Sequence, residues 1–301
     1  MNVVFELFGH AALADAIAAQ THAERGRLLL RRFPDAECYL RFESEMDGCD
    51  VTLVANLARP DEHIPALLFA ASTARELGAC KVGLVSPYLP YMRQDRRFHS
   101  GEAVTSRTFA RLISTHFDWM VTVDPHLHRY ASLGELYSVP ATALSAAPLI
   151  AEWIRAHVEQ PLLLGPDAES AQWVSAVAEI IGAPWVVSQK TRHGDRDVEV
   201  ELPDIARWRG SKAVILDDII ASGRTMIEAL RRTREARYDD PICVGIHAVF
   251  CDDSYRTLIG AGAGGIVTTD SVPHESNVIR LAALLANAVT ALSSPPSSAA
   301  G

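Results

Sequence analysis

The sequence predicts an α/β fold built twice, from three observations. Short apolar runs of strand length alternate with helical patterns from one end of the chain to the other. A break over residues 137–145, with Pro140 inside it, divides this pattern into two similar halves. The run AVILDDIIASGRT at 213–225 places two acids after an apolar stretch, then small turn residues, then a helical pattern. That order is expected of a buried parallel strand whose carboxyl end meets a ligand. Two mainly parallel sheets follow, each flanked by helices.

In the first half, apolar runs predict strands at 3–8, 51–56, 81–86 and 119–123, with helical patterns at 61–77 and 102–115. Two further strands, 27–32 and 38–43, flank Phe33-Pro34-Asp35-Ala36-Glu37 and form a hairpin or flap. In the second half, strands are expected at 162–165, 185–188, 213–217, 243–249 and 265–268. The matching helices are 145–157, 169–181 and 225–236. The domains read as 1–142 and 143–273, with a last helix over 275–292 returning to pack near the first domain. The tail 293–301, SSPPSSAAG, is Pro/Ser/Ala-rich and is expected to be disordered.

Composition narrows the function. A chain of 301 residues, 49% hydrophobic, is long enough for two ordinary domains. Its 37 acids against 28 bases give a charge of -9, which argues against a surface built to bind nucleic-acid phosphates. Five cysteines, odd in number and with no C-x-x-C pair, indicate neither a disulfide framework nor a zinc ribbon. The start MNVVFELFGH has no basic leader or apolar h-region, and no apolar run reaches the ~20 residues of a membrane span. The expected place is therefore the cytoplasm, without membrane or nucleic-acid partners.

The residues at 217–225 carry the first chemical signal. Ser222, Gly223, Arg224 and Thr225 form a tight turn whose N–H groups and hydroxyls meet the start of a helix, which makes an anion site. Asp217 and Asp218 would repel a phosphate, so they suit the hydroxyls beside it. Phosphate next to a vicinal diol points to a phosphorylated ribose. This loop resembles the phosphoribosyl diphosphate loop of the phosphoribosyltransferase superfamily.

A second stretch, PYLPYMRQDRRFHSGEAVTSRTFAR at 87–111, packs Arg93, Gln94, Asp95, Arg96 and Arg97 into five positions between rigid Pro and Tyr residues. Planar guanidinium forks suit polyphosphate and stack on a base. The stretch resembles the PYxxYxRQDR segment of the ribose-phosphate diphosphokinases, also called phosphoribosyl diphosphate synthetases. Further segments match that family in order over nearly the whole chain.

The resemblance implies two phosphoribosyltransferase-like domains and a set of roles. RRFPDAECYLRF resembles the family's flap, so Phe33, Asp35 and Glu37 are expected to hold the adenine of ATP from a neighbouring subunit. Arg93, Gln94, Asp95 and Arg96 are expected on ATP itself, and VTVDPHLHR places His126 near its phosphates and magnesium. LLLGPDAESAQW places Asp167 by a metal or its water shell. SQKTRHGDRDVEV is similar to the family's mobile K-x-R loop, so Lys190 and Arg192 join His126 as the catalytic group. Asp217, Asp218, Ser222, Gly223, Arg224 and Thr225 would hold ribose 5-phosphate. The implied cofactor is Mg2+, the implied substrates are ATP and ribose 5-phosphate, and a homo-oligomer follows from the shared ATP site.

The chain departs from the family pattern at a few positions. Ala36 stands where the flap usually has glycine, Ala168, Glu169 and Ser170 replace glycines after Asp167, and Ala221 stands where many bacterial members have aspartate. Two other readings remain: a phosphoribosyltransferase that consumes phosphoribosyl diphosphate, and a non-catalytic homologue that regulates a synthetase. The absence of G-x-x-x-x-G-K-[ST] speaks against a P-loop, and the Gly/Ala run at 260–265 reads as a helix-to-strand connection.

Overall fold

The computed structural model describes residues 1–192, 198–201 and 205–293. The chain forms two compact units. Unit 1 comprises Met1–Leu144, Ser271–Pro273 and the chain from Leu281; unit 2 comprises Ser145–Asp270 and His274–Arg280.

Unit 1 runs β1 (Asn2–Leu7), α1 (Ala11–Thr21), β2 (Glu24–Arg25), β3 (Leu28–Arg32), β4 (Cys38–Phe42), β5 (Asp50–Ala55), α2 (Pro60–Glu76), β6 (Lys81–Val85), α3 (Thr105–His116), β7 (Trp119–Val123) and β8 (Ala141–Leu144). Six strands form one sheet in the order β2-β1-β5-β6-β7-β8, every pair parallel. Strands such as β7, WMVTV, are buried at every residue, because helices cover both faces of a parallel sheet. The core gathers Phe5, Leu53, Leu67, Leu84, Ile113 and Met120. The antiparallel hairpin β3–β4 projects as the flap, with Leu28, Leu40 and Phe42 packed on that core.

Unit 2 repeats the plan with α4 (Ala147–His157), β9 (Pro161–Gly165), α5 (Ala171–Ile181), β10 (Trp185–Val187), β11 (Gln189–Arg192), β12 (Val198–Glu201), β13 (Lys212–Ile219), α6 (Arg224–Glu235), β14 (Ile242–His247), α7 (Ser254–Gly260), β15 (Gly265–Thr269) and β16 (Asn277–Ile279). Its sheet, in the order β10-β9-β13-β14-β15-β16, is also parallel throughout. Its core includes Leu162, Leu164, Ile215, Leu230 and Leu258. The last helix, α8 (Ala282–Ser293), lies in unit 1 against α1, β7 and β8, and buries Leu285, Ala286 and Val289.

The structure corrects several sequence expectations. The helix expected over 275–292 begins only at Ala282, since Asn277–Ile279 forms the edge strand β16. Asn277 Nδ2 donates to Thr268 Oγ1 at 2.9 Å and to Thr269 O at 2.7 Å, which holds this segment extended beside β15. Helix α3 starts at Thr105 and not at 102, because the Glu102 carboxylate accepts from Phe98 N–H and His99 N–H at 2.6 and 2.9 Å and closes a turn instead. The 137–145 break contains β8. The segment expected as a K-x-R loop pairs its flanks as the antiparallel hairpin β11–β12. Helix α1, AALADAIAAQT, has too little polar contrast around its circumference to show a clear stripe, which is why its pattern is missed. Among the described residues, no helix is long and apolar enough to cross a membrane.

Candidate active site

In unit 2 the two acids sit inside the last turn of the ladder, not beyond it. Asp217 pairs with Gly245 and Ile219 with His247, so β13 runs through both carboxylates before the chain turns. Asp217 Oδ1 accepts from Asp218 N–H at 3.0 Å, and Asp218 Oδ1 accepts from Ile219 N–H at 2.8 Å. The turn is held from β14's side: Ile220 N–H donates to His247 O at 3.0 Å and Cys251 N–H to Ala221 O at 3.1 Å. Gly223 then takes φ +70° at the head of α6, a conformation for which glycine is suited. Exposed Ser222 and Arg224 and half-buried Thr225 flank the first N–H groups of a twelve-residue helix, which need outside acceptors.

Asp167 belongs to the same unit. Its Oδ1 accepts from Glu169 N–H at 3.1 Å and Ser170 N–H at 3.3 Å, while Ser170 Oγ donates to Asp167 O at 2.6 Å. Ala168–Ser170 therefore form one tight helical turn capped by Asp167 itself. Burial, then the charges of Asp218 and Asp167, push the Asp217 carboxyl well above the usual carboxylate range. Three carboxylates thus crowd the ends of β9 and β13. Such an arrangement suits hydroxyl groups, which donate to carboxylate oxygens.

In unit 1 the Arg93–Arg97 loop follows β6, and the His126 loop follows its neighbour β7. Arg93, Arg96 and Arg97 are exposed, Gln94 and His126 are half-buried, and Asp95 is buried. Arg96 stacks over Phe98 at 4.8 Å, and His126 lies beside His128 with ring centroids 6.2 Å apart. Asp95 Oδ2 is 3.3 Å from Arg129 Nε, so this motif acid faces inward. Phe33, Asp35 and Glu37 are all exposed at the flap tip, with Arg31 stacked over Phe33 and Tyr39 at 4.7 and 4.1 Å. Ala36 adopts φ +72° there, which keeps the turn that a glycine would make. A cavity of 860 Å³ separates the flap from α2, and of the expected ATP residues it touches only Glu37.

The backbones of Lys190 and Arg192 pair with Val200 and Val198 in β11–β12, but their side chains lie outside the described residues.

With this geometry in hand, known proteins offer a direct comparison. The N-terminal domain of ribose phosphate pyrophosphokinase matches residues 2–116, and the phosphoribosyl transferase domain matches residues 132–268. The ribose-phosphate pyrophosphokinase of Methanobrevibacter smithii is 33% identical over 290 residues, covering 91% of this chain and 95% of its own. That of Halobacterium salinarum is 33% identical over 282 residues, covering 92% and 97%. The chain belongs to the ribose-phosphate pyrophosphokinase family.

A solved phosphoribosylpyrophosphate synthetase from Mycobacterium smegmatis superposes on this family member with a TM-score of 0.85, covering 97% of this chain and 98% of that one at 24% identity. The likeness extends to the whole two-unit α/β fold. In this family member the motif residues fall into three places: a flap tip, a pair of loops at the carboxyl ends of two neighbouring strands of the first sheet, and a carboxylate-and-turn site in the second. Sequence reasoning missed Arg129, Tyr130 and Glu102, which hold the first-unit loops. No spacing in the sequence signals them, since their partners lie on other loops or across a turn.

Proposed function

We propose that this chain transfers the diphosphoryl group of ATP to the anomeric hydroxyl of ribose 5-phosphate, giving 5-phosphoribosyl 1-diphosphate and AMP. The observation that carries this reading is the end-to-end match to relatives named ribose-phosphate pyrophosphokinase. The paired acids ahead of a helix N-terminus in unit 2 support it.

In this mechanism the N–H groups and hydroxyls of Ser222, Gly223, Arg224 and Thr225 take the 5-phosphate. Asp217 and Asp218 accept hydrogen bonds from the ribose hydroxyls and orient the anomeric oxygen. Arg93, Gln94 and Arg96 take the ATP polyphosphate, with Asp95 in the same loop. Phe33, Asp35 and Glu37 cover the adenine of a neighbouring subunit, a role supported by their exposure at the flap tip. The anomeric oxygen forms a bond to the β-phosphorus as the bond from that phosphorus to the α–β bridging oxygen breaks. AMP leaves, and the hydroxyl proton passes to solvent. Lys190 and Arg192 neutralise charge spread over the moving group, the larger part of catalysis in such transfers.

Mg2+ fits the oxygen donors present. Among the described residues no group of three His, Cys, Asp or Glu side chains is arranged to hold a metal ion by itself. A magnesium ion needs no such cage, because it binds through one or two protein groups and the substrate phosphates. His126 in unit 1 and Asp167 in unit 2 would each be such a group, for an ion of its own, and a bound ion would neutralise phosphate charge. A homo-oligomer and a cytoplasmic location complete the reading.

The test is AMP formation from ATP and Mg2+, with and without ribose 5-phosphate, followed by phosphorus NMR of the product. Ribose-dependent AMP with a new sugar diphosphate ester is expected. ATP binding with no AMP under any condition would overturn the proposal.

A further inference from the structure

The two ATP-side loops of unit 1 are bolted to each other well past the ends of their strands. β6 and β7 pair in parallel, so both loops leave from the carboxyl ends of neighbouring strands. Just beyond β6, Ser86 N–H donates to Val121 O at 2.9 Å and Val123 N–H to Pro87 O at 3.1 Å, with Val121 and Val123 both in β7. Thr122 Oγ1 adds a bond to the same Pro87 carbonyl at 3.3 Å. Farther out the chains meet again through side chains. Arg129 Nε lies 3.3 Å from Asp95 Oδ2, and the Tyr130 hydroxyl donates to Asp95 O at 3.1 Å.

Asp95 is the buried member of the RQDR motif. Its side chain is 5% exposed, whereas Arg93 and Arg96 around it are exposed. Burying a carboxylate is costly unless it is paired, and Arg129 is its partner. Arg129 and Tyr130 stand three and four residues after His126, on the same loop. One ion pair and one hydrogen bond therefore fix the spacing between the Arg93–Gln94 segment and His126.

We propose that Arg129 is a positioning residue for nucleotide binding. Through Asp95, and with Tyr130, it holds Arg93 and Gln94 in register with His126 so that both loops meet one polyphosphate. Asp95 is then an anchor within the motif and not itself a nucleotide ligand. The inference rests on the reading that Arg93, Gln94 and His126 bind ATP. Without Arg129 the Asp95 carboxylate loses its cation, and the loop relieves this by turning outward, which displaces Arg93 and Gln94. Lysine keeps the charge but not the planar fork, so it restores the lock only in part.

The test is calorimetric titration of Mg2+-ATP and, separately, of ribose 5-phosphate into the full chain. The variants are Arg129→Ala, Arg129→Lys, Tyr130→Phe and the double variant Asp95→Asn with Arg129→Ala. Arg129→Ala should raise the Kd for ATP by about tenfold or more, since misplaced binding groups lose affinity steeply. Arg129→Lys and Tyr130→Phe should fall between that variant and the parent, and ribose 5-phosphate affinity should stay within about twofold in all of them. Adding Asp95→Asn to Arg129→Ala should cost nothing more, because two residues of one lock are not additive. Unchanged ATP affinity in Arg129→Ala, or an equal loss for both ligands, overturns the proposal. Should Arg129→Ala fail to fold, Arg129→Lys with unchanged ATP affinity does so. A parent chain that binds ATP but forms no AMP refutes the proposed reaction while these affinities still judge the lock. A parent that binds no ATP refutes both.

Discussion

Gly165 closes β9 directly before Pro166 and Asp167, and adding one methyl group there tests how the Asp167 turn is held. A Cβ on Gly165 would stand 2.4 Å from Ser170 Oγ, 2.6 Å from Val187 Cγ1 and 3.3 Å from Val174 Cγ2. The backbone of Gly165 is not left-handed, so the cost is one of space. Overpacking of this kind costs about 1–3 kcal/mol. Ser170 is fully buried, and its hydroxyl must leave the Asp167 carbonyl to make room, which forfeits roughly 1 kcal/mol more. Gly165→Ala should therefore destabilise unit 2 by about 2–4 kcal/mol in total. Urea unfolding followed by tryptophan fluorescence reads this, since Trp153, Trp173, Trp185 and Trp208 all lie in unit 2. In a Ser170→Ala background the closest clash is gone, so the two penalties should fall short of additivity by about 1 kcal/mol. A Gly165→Ala variant within about 0.5 kcal/mol of the parent would refute the packing argument, as would strict additivity.

Two further substitutions test the turns around the proposed sites. The Asp217 carboxyl is raised by burial and by Asp218 and Asp167, so the folded chain holds that proton more tightly than the unfolded chain does. Stability is then lost as pH rises from the unfolded value, about 3.9, through the folded one. Asp217→Asn should remove this loss, so in buffer free of divalent cations its advantage over the parent should grow across that window and then level off. Parallel stability curves against pH would show that Asp217 is not strained by its neighbours. At the flap, Ala36 holds φ +72°, which costs a residue with a Cβ about 1–2 kcal/mol, while glycine costs about 0.4–1 kcal/mol in unfolded-chain entropy. Ala36→Gly should therefore raise stability by up to about 1.6 kcal/mol in thermal unfolding. A clear loss of stability would mean that the turn is not left-handed at this residue.

Much of the fold was legible in the sequence because its parallel strands are buried on both faces and read as unbroken apolar runs, as in WMVTV and KAVIL. Helices with one polar face, such as α3 and α6, announced themselves in the same way. Elements without that contrast did not: α1 is almost wholly small and apolar, β16 is three residues long, and β8 hides in a Pro-marked break. The reason is the range of the signal. Periodicity records which face of an element is buried, and a short or uniformly apolar element has no second face to compare.

The functional motifs divide along the same line. The sequence alone picked out the candidate phosphate and sugar site, because the turn at Ser222–Thr225 behind Asp217 and Asp218 is set by adjacent residues. It likewise marked Arg93 to Arg96 as a cationic loop and matched the chain to its family by contiguous motifs. Only the tertiary structure decided which way each motif residue faces. Asp95 turns inward to Arg129, 34 positions away, while Arg93 beside it stays in solvent. The pKa of Asp217 is pushed upward by burial first, then by Asp218 and by Asp167, 50 positions away. Neither relation leaves a trace in spacing, because each depends on which strands lie side by side in the folded sheet, and strand order is fixed by packing between elements that the linear pattern does not connect.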